Sequence, residues 1–526
     1  MNSDPTTAVR RLVVLGGGSA GWLTAATLAA ELGGALGGDS PGALQVTLIE
    51  SPNVPTIGVG EGTWPTMRAT LHRIGLSEVD LIRECDAAFK QGSRFDGWLN
   101  GGAEDRYYHP FSLPHGSGEA DLAGAWSHDG TGQPFAECVG PQPHVCDAYL
   151  APKQTTTPDF GSVLNYGYHF DAVKLGLLLR RHATTALGVR HIVDDVTAVR
   201  SAENGDIAAL ATRGHGDVEG DLFIDCSGLA AVLIGGHYDV PFRSEKGVLF
   251  NDRALAMQLP HADAQAPLAS VTVATAHAEG WTWDIGLPTR RGIGLVYSSS
   301  HVHDGAAERA LSAYLDRCGL HASDATPRQL RFNPGYRERF WHRNCVAVGL
   351  SAGFIEPLEA SALALVELSA AMIRDEMPAN RADMDLVAKR FNESFGYRWS
   401  RIIEFLKLHY VLSQRDGADY WRDHRSAATQ PESLRELLQL WAHRAPSRND
   451  FYRAEEVFPA ASYQYVLYGM KFKSASRPLR PLRPQSLAAA RARMQDVTTI
   501  TRRLLGGLPR HRDLIHHIHA HGMPAA

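Results

Sequence analysis

Cysteine is scarce and scattered. The chain has 526 residues and six cysteines, Cys85, Cys138, Cys146, Cys226, Cys318 and Cys345, and no two form a C-x-x-C pair. That scatter excludes a disulfide framework and a clustered zinc site as organising devices, so metal is not expected and reduced thiols in a cytoplasmic setting are. Charge of one sign is missing too. A formal net charge of −5 argues against nucleic acid or an acidic membrane surface as a partner. No run is apolar enough to span a bilayer, and no internal repeat occurs. The opening MNSDPTTAVRRLVVLGGG passes from a short apolar run straight into glycines, which is unlike a secretory signal. Basic residues gather only in SRPLRPLRP (476–484), where interleaved prolines predict a surface loop. The closing HRDLIHHIHAHG (511–522) holds five histidines. A polar helix face is the expectation there, with a metal site as the alternative.

The chain is long for one core, so two or three packed units are expected. RLVVLGGGSAGWLTAATLAAELG (11–33) predicts a buried strand, a glycine turn and an apolar helix. Gly16, Gly18 and Gly21 form G-x-G-x-x-G. The first permits the tight turn, the second a close pyrophosphate, and the third close helix–strand packing. The helix N-terminus then offers free N–H groups to phosphate. A glycine-rich insertion (33–42) precedes a second strand, LQVTLIE (44–50), which ends on Glu50, an acid suited to a ribose hydroxyl. RHIVDDVTAVR (190–200) and GDLFIDCSG (220–228) predict further strands, the latter returning the chain to the dinucleotide sheet. Beyond residue 360 the pattern turns to long helices, at 361–378, 384–413, 431–444 and from 485 onward. The expected division is a dinucleotide-binding module over 1–375 and a mostly helical part over 376–526.

Several stretches carry chemistry. VPTIGVGEGTWP (54–65) clusters glycines beside Glu61, as a plain turn or a mobile strap would. ECDAAFKQGSRFDGW (84–98) sets Lys90 among small and apolar residues, though a lone lysine is ordinarily solvated. RYYHPF (106–111) is either core or a slot for a flat ring. GWTWDIGLP (280–288), if it is a strand, places Trp281 and Trp283 on one face, as core filling, as the wall of a site, or as both. NCVAVGLSAGFIEPLEASALALVEL (344–368) predicts a strand, a glycine turn and an acidic helix start. Pro357 suits the first helical turn. The N–H groups of Ser361 and Ala362 follow Glu359, as an anion site requires.

Taken together, G-G-G-x-A-G-W (16–22), GVGE (58–61), AAFK (87–90), YHPF (108–111), W-x-W-x-I (281–285) and PLEAS (357–361) resemble the flavin-dependent tryptophan halogenases along nearly the whole chain. The resemblance implies an α/β, Rossmann-like FAD-binding box of the flavin-monooxygenase type carrying a C-terminal, mostly helical pyramid. It implies that FADH2 from a separate NADH-dependent reductase reacts with O2 to give a flavin C4a-hydroperoxide. Chloride or bromide then becomes hypohalous acid, which a lysine directs onto an aromatic substrate. The match puts that lysine at Lys90 and the assisting acid at Glu359, with Glu356 as its rival. It puts the halide on the backbone at Ser361 and Ala362, where the family's Glu-Ser-Thr-Gly is here Glu-Ala-Ser-Ala. Flavin contacts fall to Gly16, Gly18, Ala20, Gly21, Glu50, Gly60, Glu61, Val196 and Leu350. Trp281 and Trp283 match the partition between flavin and substrate, with Gly286 where the family has proline.

His109, Phe111 and Tyr465 match substrate contacts. In the family a tyrosine pair and a following glutamate hold the amino acid end of tryptophan. Here Gln464-Tyr465 and Lys471 fall near those places, so indole or another electron-rich aromatic is expected over free tryptophan. An aromatic hydroxylase on a similar fold would not need Lys90, and a flavin-binding interaction protein would need neither Lys90 nor Glu359. A homodimer is compatible with all of these readings.

Overall fold

Residues 12–15 and 46–49 are buried without alternation, the pattern of parallel strands covered on both faces. They lie side by side, Arg11–Leu15 pairing in parallel with Gln45–Glu50. The helix Ser19–Leu32 connects them. The computed structural model describes residues 8–33, 44–55, 61–130, 132–261, 263–320, 326–453, 456–474 and 483–524. The strap glycines Gly58 and Gly60, nearly all of the 33–42 insertion and the basic proline-rich stretch through residue 482 therefore lie outside the described residues.

The chain divides into two units, each assembled from three separate segments: 1–87, 170–245 and 333–399 in one, and 88–169, 246–332 and 400–526 in the other. The first unit is built on a six-stranded sheet in the order Trp341–His342, Cys345–Ala347, Leu222–Asp225, Arg11–Leu15, Gln45–Glu50, Arg190–Val193. Every neighbouring pair is parallel except the terminal Trp341–His342 hairpin. Leu222–Asp225 thus returns beside the first strand, as the apolar run closing on Asp225 predicts.

The segment 190–200 is not one strand. Arg190–Val193 ends the parallel sheet, and Val196–Ser201 belongs to a separate three-stranded sheet. Asp194 and Asp195 make the break. The Asp194 carboxylate accepts from the amides of Asp195 at 2.8 Å and Gly214 at 2.7 Å, and Asp195 accepts from Ser51 Oγ at 2.6 Å. Short acidic side chains that bind nearby backbone compete with strand pairing.

The second unit contains a seven-stranded sheet, in the order Arg328–Arg331, Arg253–Pro260, Arg290–Tyr297, Gly280–Gly286, Thr272–Ala276, Gly92–Asp96, Arg106–Pro110. The helix Asp304–Arg317 covers part of it, with Leu311, Tyr314 and Leu315 set against Leu255, Ile293 and Leu295. The predicted helices follow as Ser361–Asp375, Arg381–Val411, Glu432–Trp441, Pro484–Gly507 and His511–His521, and a further helix, Ala460–Gly469, lies in a segment not predicted to be helical.

All seven residues of Gly280–Gly286 are buried. Trp281 and Trp283 meet edge to face with centroids 6.4 Å apart, a favourable geometry for ring quadrupoles. Trp281 also lies against Trp98 at 6.1 Å. Trp283 spreads over Gly294 on the next strand, where an added Cβ would sit 2.0 Å from the indole. Both indoles are thus core residues of this sheet.

Gly294→Ala should therefore destabilise the protein by about 1–3 kcal/mol, the usual cost of overpacking a core. Urea unfolding midpoints measure it, and an unshifted midpoint would mean that the indole does not rest on residue 294.

Candidate functional site

In the first unit, the turn after the first strand is shaped by backbone contact. Gly16 has φ +118°, and a Cβ there would meet the Cys226 carbonyl oxygen at 2.2 Å. A Cβ on Gly21 would lie 1.9 Å from the Gly16 carbonyl oxygen, whereas none of the surrounding atoms crowds Gly18. Helix Ser19–Leu32 begins after Gly18 with no side-chain cap, which leaves its first amides to a ligand. Glu50 folds over this turn, its Oε2 just where a Cβ on Gly17 would be, at 1.6 Å. His191 Nε2 holds the other oxygen at 2.7 Å.

Asp225 organises the opposite side. Its buried carboxylate accepts from Ser227 N and Oγ at 3.0 and 2.6 Å, and from Leu233 N and Ile234 N, both at 2.8 Å. The turn Gly349–Ser351 packs beside helix residue Ala20, whose Cβ would be 2.8 Å from a Cβ on Gly349. Leu350 in this turn is half-buried, as is Val196. A glycine cradle of this shape, with an acid at the end of the second strand and an uncapped helix start, fits a dinucleotide such as FAD. Glu61 opens the two-residue strand Glu61–Gly62, and desolvation pushes its carboxyl up to about 7.

The acidic segment departs from expectation. Pro357 does not begin the long helix; it precedes a single 3-10 turn, Leu358–Ala360, and the helix starts at Ser361. Glu359 (φ 65°) and Ala360 (φ 54°) are both left-handed, a conformation costing about 1–2 kcal/mol for each non-glycine residue. This double turn re-aims the chain so that Ser361 and Ala362 become the first helical residues. No side chain caps them. Trp64 secures the turn, its indole N–H donating to the Glu359 carbonyl oxygen at 2.7 Å.

One and a half turns into the helix, the buried Glu367 accepts from Thr70 Oγ1 at 2.7 Å and Thr66 Oγ1 at 3.3 Å. The segment that follows the strap is thereby tied to this helix at two places. Glu356 and Glu359 are both buried.

Lys90 belongs to the second unit and is not solvated: it is 1% exposed. It closes the strand Ala88–Lys90, which pairs antiparallel with Gly167–Phe170. Its ammonium lies 5.3 Å from the Phe111 ring centroid, a cation–π distance. Next to it, Gln91 is wholly buried and donates to Leu150 O and Ser270 Oγ, both at 2.9 Å. The Phe111 amide donates to Gln91 O at 3.0 Å, and Asn165 Nδ2 donates to Phe111 O at 3.0 Å.

His109, also buried, bonds Ser462 Oγ at 2.8 Å and faces Tyr465 at 6.2 Å between centroids. Tyr465 donates to Ser112 O at 2.9 Å. Thus Lys90 meets Phe111, and His109 meets Tyr465, from the two ends of the segment 109–111. Gln464 turns elsewhere, onto Pro446 O at 2.8 Å. Lys471 follows the helix Ala460–Gly469 in a left-handed conformation and is exposed.

The tryptophan halogenase family model matches residues 11–484. The chain belongs to the tryptophan halogenase family. A solved tryptophan halogenase from Shewanella frigidimarina is 47% identical with a TM-score of 0.95, covering 99% of this chain and 100% of that one. The 7-chloro-L-tryptophan 6-halogenase KtzR of Kutzneria sp. is 32% identical over 480 residues, or 87% of this chain and 90% of the relative. Tryptophan 6-halogenase SttH of Streptomyces toxytricini is 31% identical over 515 residues, 93% and 94% of the two chains. This halogenase family member is therefore an enzyme, with flavin and halide implied as its reagents. Among the described residues no helix is long and apolar enough to cross a membrane.

Sequence reasoning did not single out Trp64, Glu367, Gln91, Asn165 or Ser462. Trp64 stands inside the quoted strap segment, and an acid at 367 on an apolar helix face is a legible anomaly. The others are ordinary polar residues until the fold buries them.

Glu367 gives a pH signature. Desolvation pushes its carboxyl from 4.5 up to about 8. Between those values the folded state keeps a proton that the unfolded chain has released, so this group's contribution to stability falls as pH rises through that window. Glu367→Gln removes the titration. The variant's stability relative to the parent should grow from pH 5 to pH 8.5, by about 1.4 kcal/mol per pH unit at most. Thermal melts at both pH values check it, and a constant difference would contradict it.

Proposed function

We propose that this chain halogenates an electron-rich aromatic of the indole type, using reduced FAD delivered by a separate NADH-dependent reductase. Bound reduced FAD, with O2 and chloride or bromide, supplies the halogen in oxidised form. The chain's own residues do the rest. The glycine cradle and Glu50 bind the dinucleotide, with Ala20, Glu61, Val196 and Leu350 beside it and Gly60 in the strap. Uncapped amides at Ser361 and Ala362 suit a halide. Trp281 and Trp283 act as a wall that keeps the aromatic from direct oxidation. Lys90 hydrogen-bonds the oxidised halogen or carries it as a haloamine, which fixes a promiscuous electrophile in one place. Glu359 polarises that electrophile or takes the ring proton lost when C–H becomes C–halogen.

The observation that carries this reading is Lys90 itself. A lysine ammonium is costly to bury, and here it is buried over Phe111, which follows His109 by two residues. Indole incubated with the enzyme, reduced FAD, O2 and bromide should yield a product with a bromine isotope doublet. An added oxygen instead would indicate a hydroxylase. Lys90→Ala should lose halogenation while FAD still binds and is still oxidised. Glu359→Gln should lower the rate roughly 10²-fold, the low end for losing a positioned acid or base. A larger loss in Glu356→Gln would transfer the role to that residue.

The substrate follows from a missing charge. The segment 462–474, SYQYVLYGMKFKS, contains no acidic residue, so it offers no carboxylate to the ammonium of free tryptophan. The missing acid carries this reading more than Lys471 does, because an exposed lysine acts through screening water. Stacking on His109 and Phe111 serves any flat aromatic. In competition at equal concentration, indole should be halogenated in preference to tryptophan, read by product mass. Preference for tryptophan would overturn the assignment.

A further inference from the structure

The C-terminal helix His511–His521 carries five histidines. No group of three or more His, Cys, Asp or Glu side chains that could hold a metal occurs among the described residues. Four of its histidines, His516, His517, His519 and His521, are exposed or half-buried. The first, His511, is completely buried, and it does something different.

Ala88–Lys90 is an edge strand. Among the described residues it pairs on one side, Phe89 opposite Tyr168, and an edge leaves backbone groups to be satisfied elsewhere. The Phe89 amide donates to His511 Nε2 at 3.0 Å. On the far side of the ring, His511 Nδ1 contacts Leu268 O at 3.1 Å. A carbonyl can only accept and an amide can only donate, so the proton sits on Nδ1 and Nε2 is bare. The ring must be neutral to hold both bonds. Burial keeps it so, pushing its pKa down to about 4.

The helix start that carries His511 is itself fastened. His511 N donates to Tyr149 O at 2.8 Å, and Ala151 N donates to Pro509 O at 3.0 Å. Arg512 reaches Ala266 O at 2.5 Å and Pro288 O at 2.9 Å. Residue 91 has its own anchor, Gln91 N donating to Ser270 O at 2.6 Å. The stretch 268–270 therefore supports the backbone on both sides of Lys90, directly at Gln91 and through the His511 imidazole at Phe89.

We propose that His511 is a positioning residue for Lys90. Its neutral imidazole, bridging Leu268 O to the Phe89 amide, sets the place of the short strand that carries the lysine, and so directs the oxidised halogen to the aromatic rather than to solvent. This rests on the role proposed above for Lys90. A strand of three residues has little pairing of its own to resist displacement, and misplacement by about 1 Å can cost 10²-fold in rate.

The test uses His511→Phe, which fills the space and loses both bonds, and His511→Gln, whose amide oxygen can still accept from Phe89. Three readouts apply to the full-length, folded holoenzyme. The first is hydrogen exchange of the Phe89 amide, which should accelerate in His511→Phe. The second is the fraction of flavin oxidations that end in brominated indole. The third is the oxidant released, trapped by a soluble β-diketone. We expect His511→Phe to lower the coupled fraction about tenfold or more, with flavin oxidation unchanged and trapped oxidant or peroxide raised. His511→Gln should fall between it and the parent.

A merely structural role would lower the melting temperature and leave the surviving folded enzyme fully coupled. That result, in either variant, overturns the inference. If His511→Phe does not fold, the coupled fraction of His511→Gln decides alone: a fall supports the proposal and parental coupling refutes it. Parental coupling in Lys90→Ala would instead refute the role of Lys90, whatever the His511 variants do.

Discussion

One close approach governs the first unit: the carbonyl oxygen of Cys226 stands where residue 16 would carry a side chain. Only glycine admits that contact at φ +118°. The contact lets Arg11–Leu15 and Leu222–Asp225 run together to their ends. The Gly16 amide reaches Ile49 O at 2.8 Å and the Cys226 amide reaches Leu15 O at 2.8 Å. The helix start, the Glu50 carboxylate and the Asp225-centred turn all take their positions from that junction. A dinucleotide cradle is what remains when three strand ends converge and no side chain fills the gap.

The second unit solves a different problem, the burial of polar and charged groups. Lys90, Gln91, His109 and His511 are all at most 5% exposed. Their partners include backbone carbonyls at Leu150, Ser270 and Leu268, hydroxyls at Ser270 and Ser462, and the face of Phe111. Neutral acceptors satisfy donors without the desolvation cost of bringing in a counter-ion. His169 follows the same logic, its pKa lowered well below 6.5 by burial and by the nearby positive charge of Lys90.

Much of this was legible in the residues. The glycine turn, the acid closing the second strand and the apolar run into Asp225 each announce their element, because local sterics and burial on two faces leave few alternatives. Where reading failed, a side chain had bound a backbone group and turned the chain. Asp194 and Asp195 split one apparent strand into two. Glu359 and Ala360 adopt left-handed conformations that no propensity favours, and Trp64 Nε1 sits on the carbonyl between them. Those conformations are held by contacts from residues almost 300 positions away in the chain, so nothing nearby in sequence signals them.

The sequence by itself determined the class of the protein: a dinucleotide-binding α/β chain with long C-terminal helices and the motif residues of a flavin-dependent halogenase. The fold elements are consequences of short-range rules, glycine sterics, strand burial and helical periodicity, whereas the halogenase motifs were legible only as a resemblance. Only the tertiary structure decided that Lys90 is buried rather than solvated, that Phe111 lies beside it while His109 meets Tyr465, and that one histidine of a polar-looking tail closes the edge of its strand. Each of those depends on which distant backbone group a side chain meets, and hydrogen-bond pairing across hundreds of residues is settled by packing, not by local sequence.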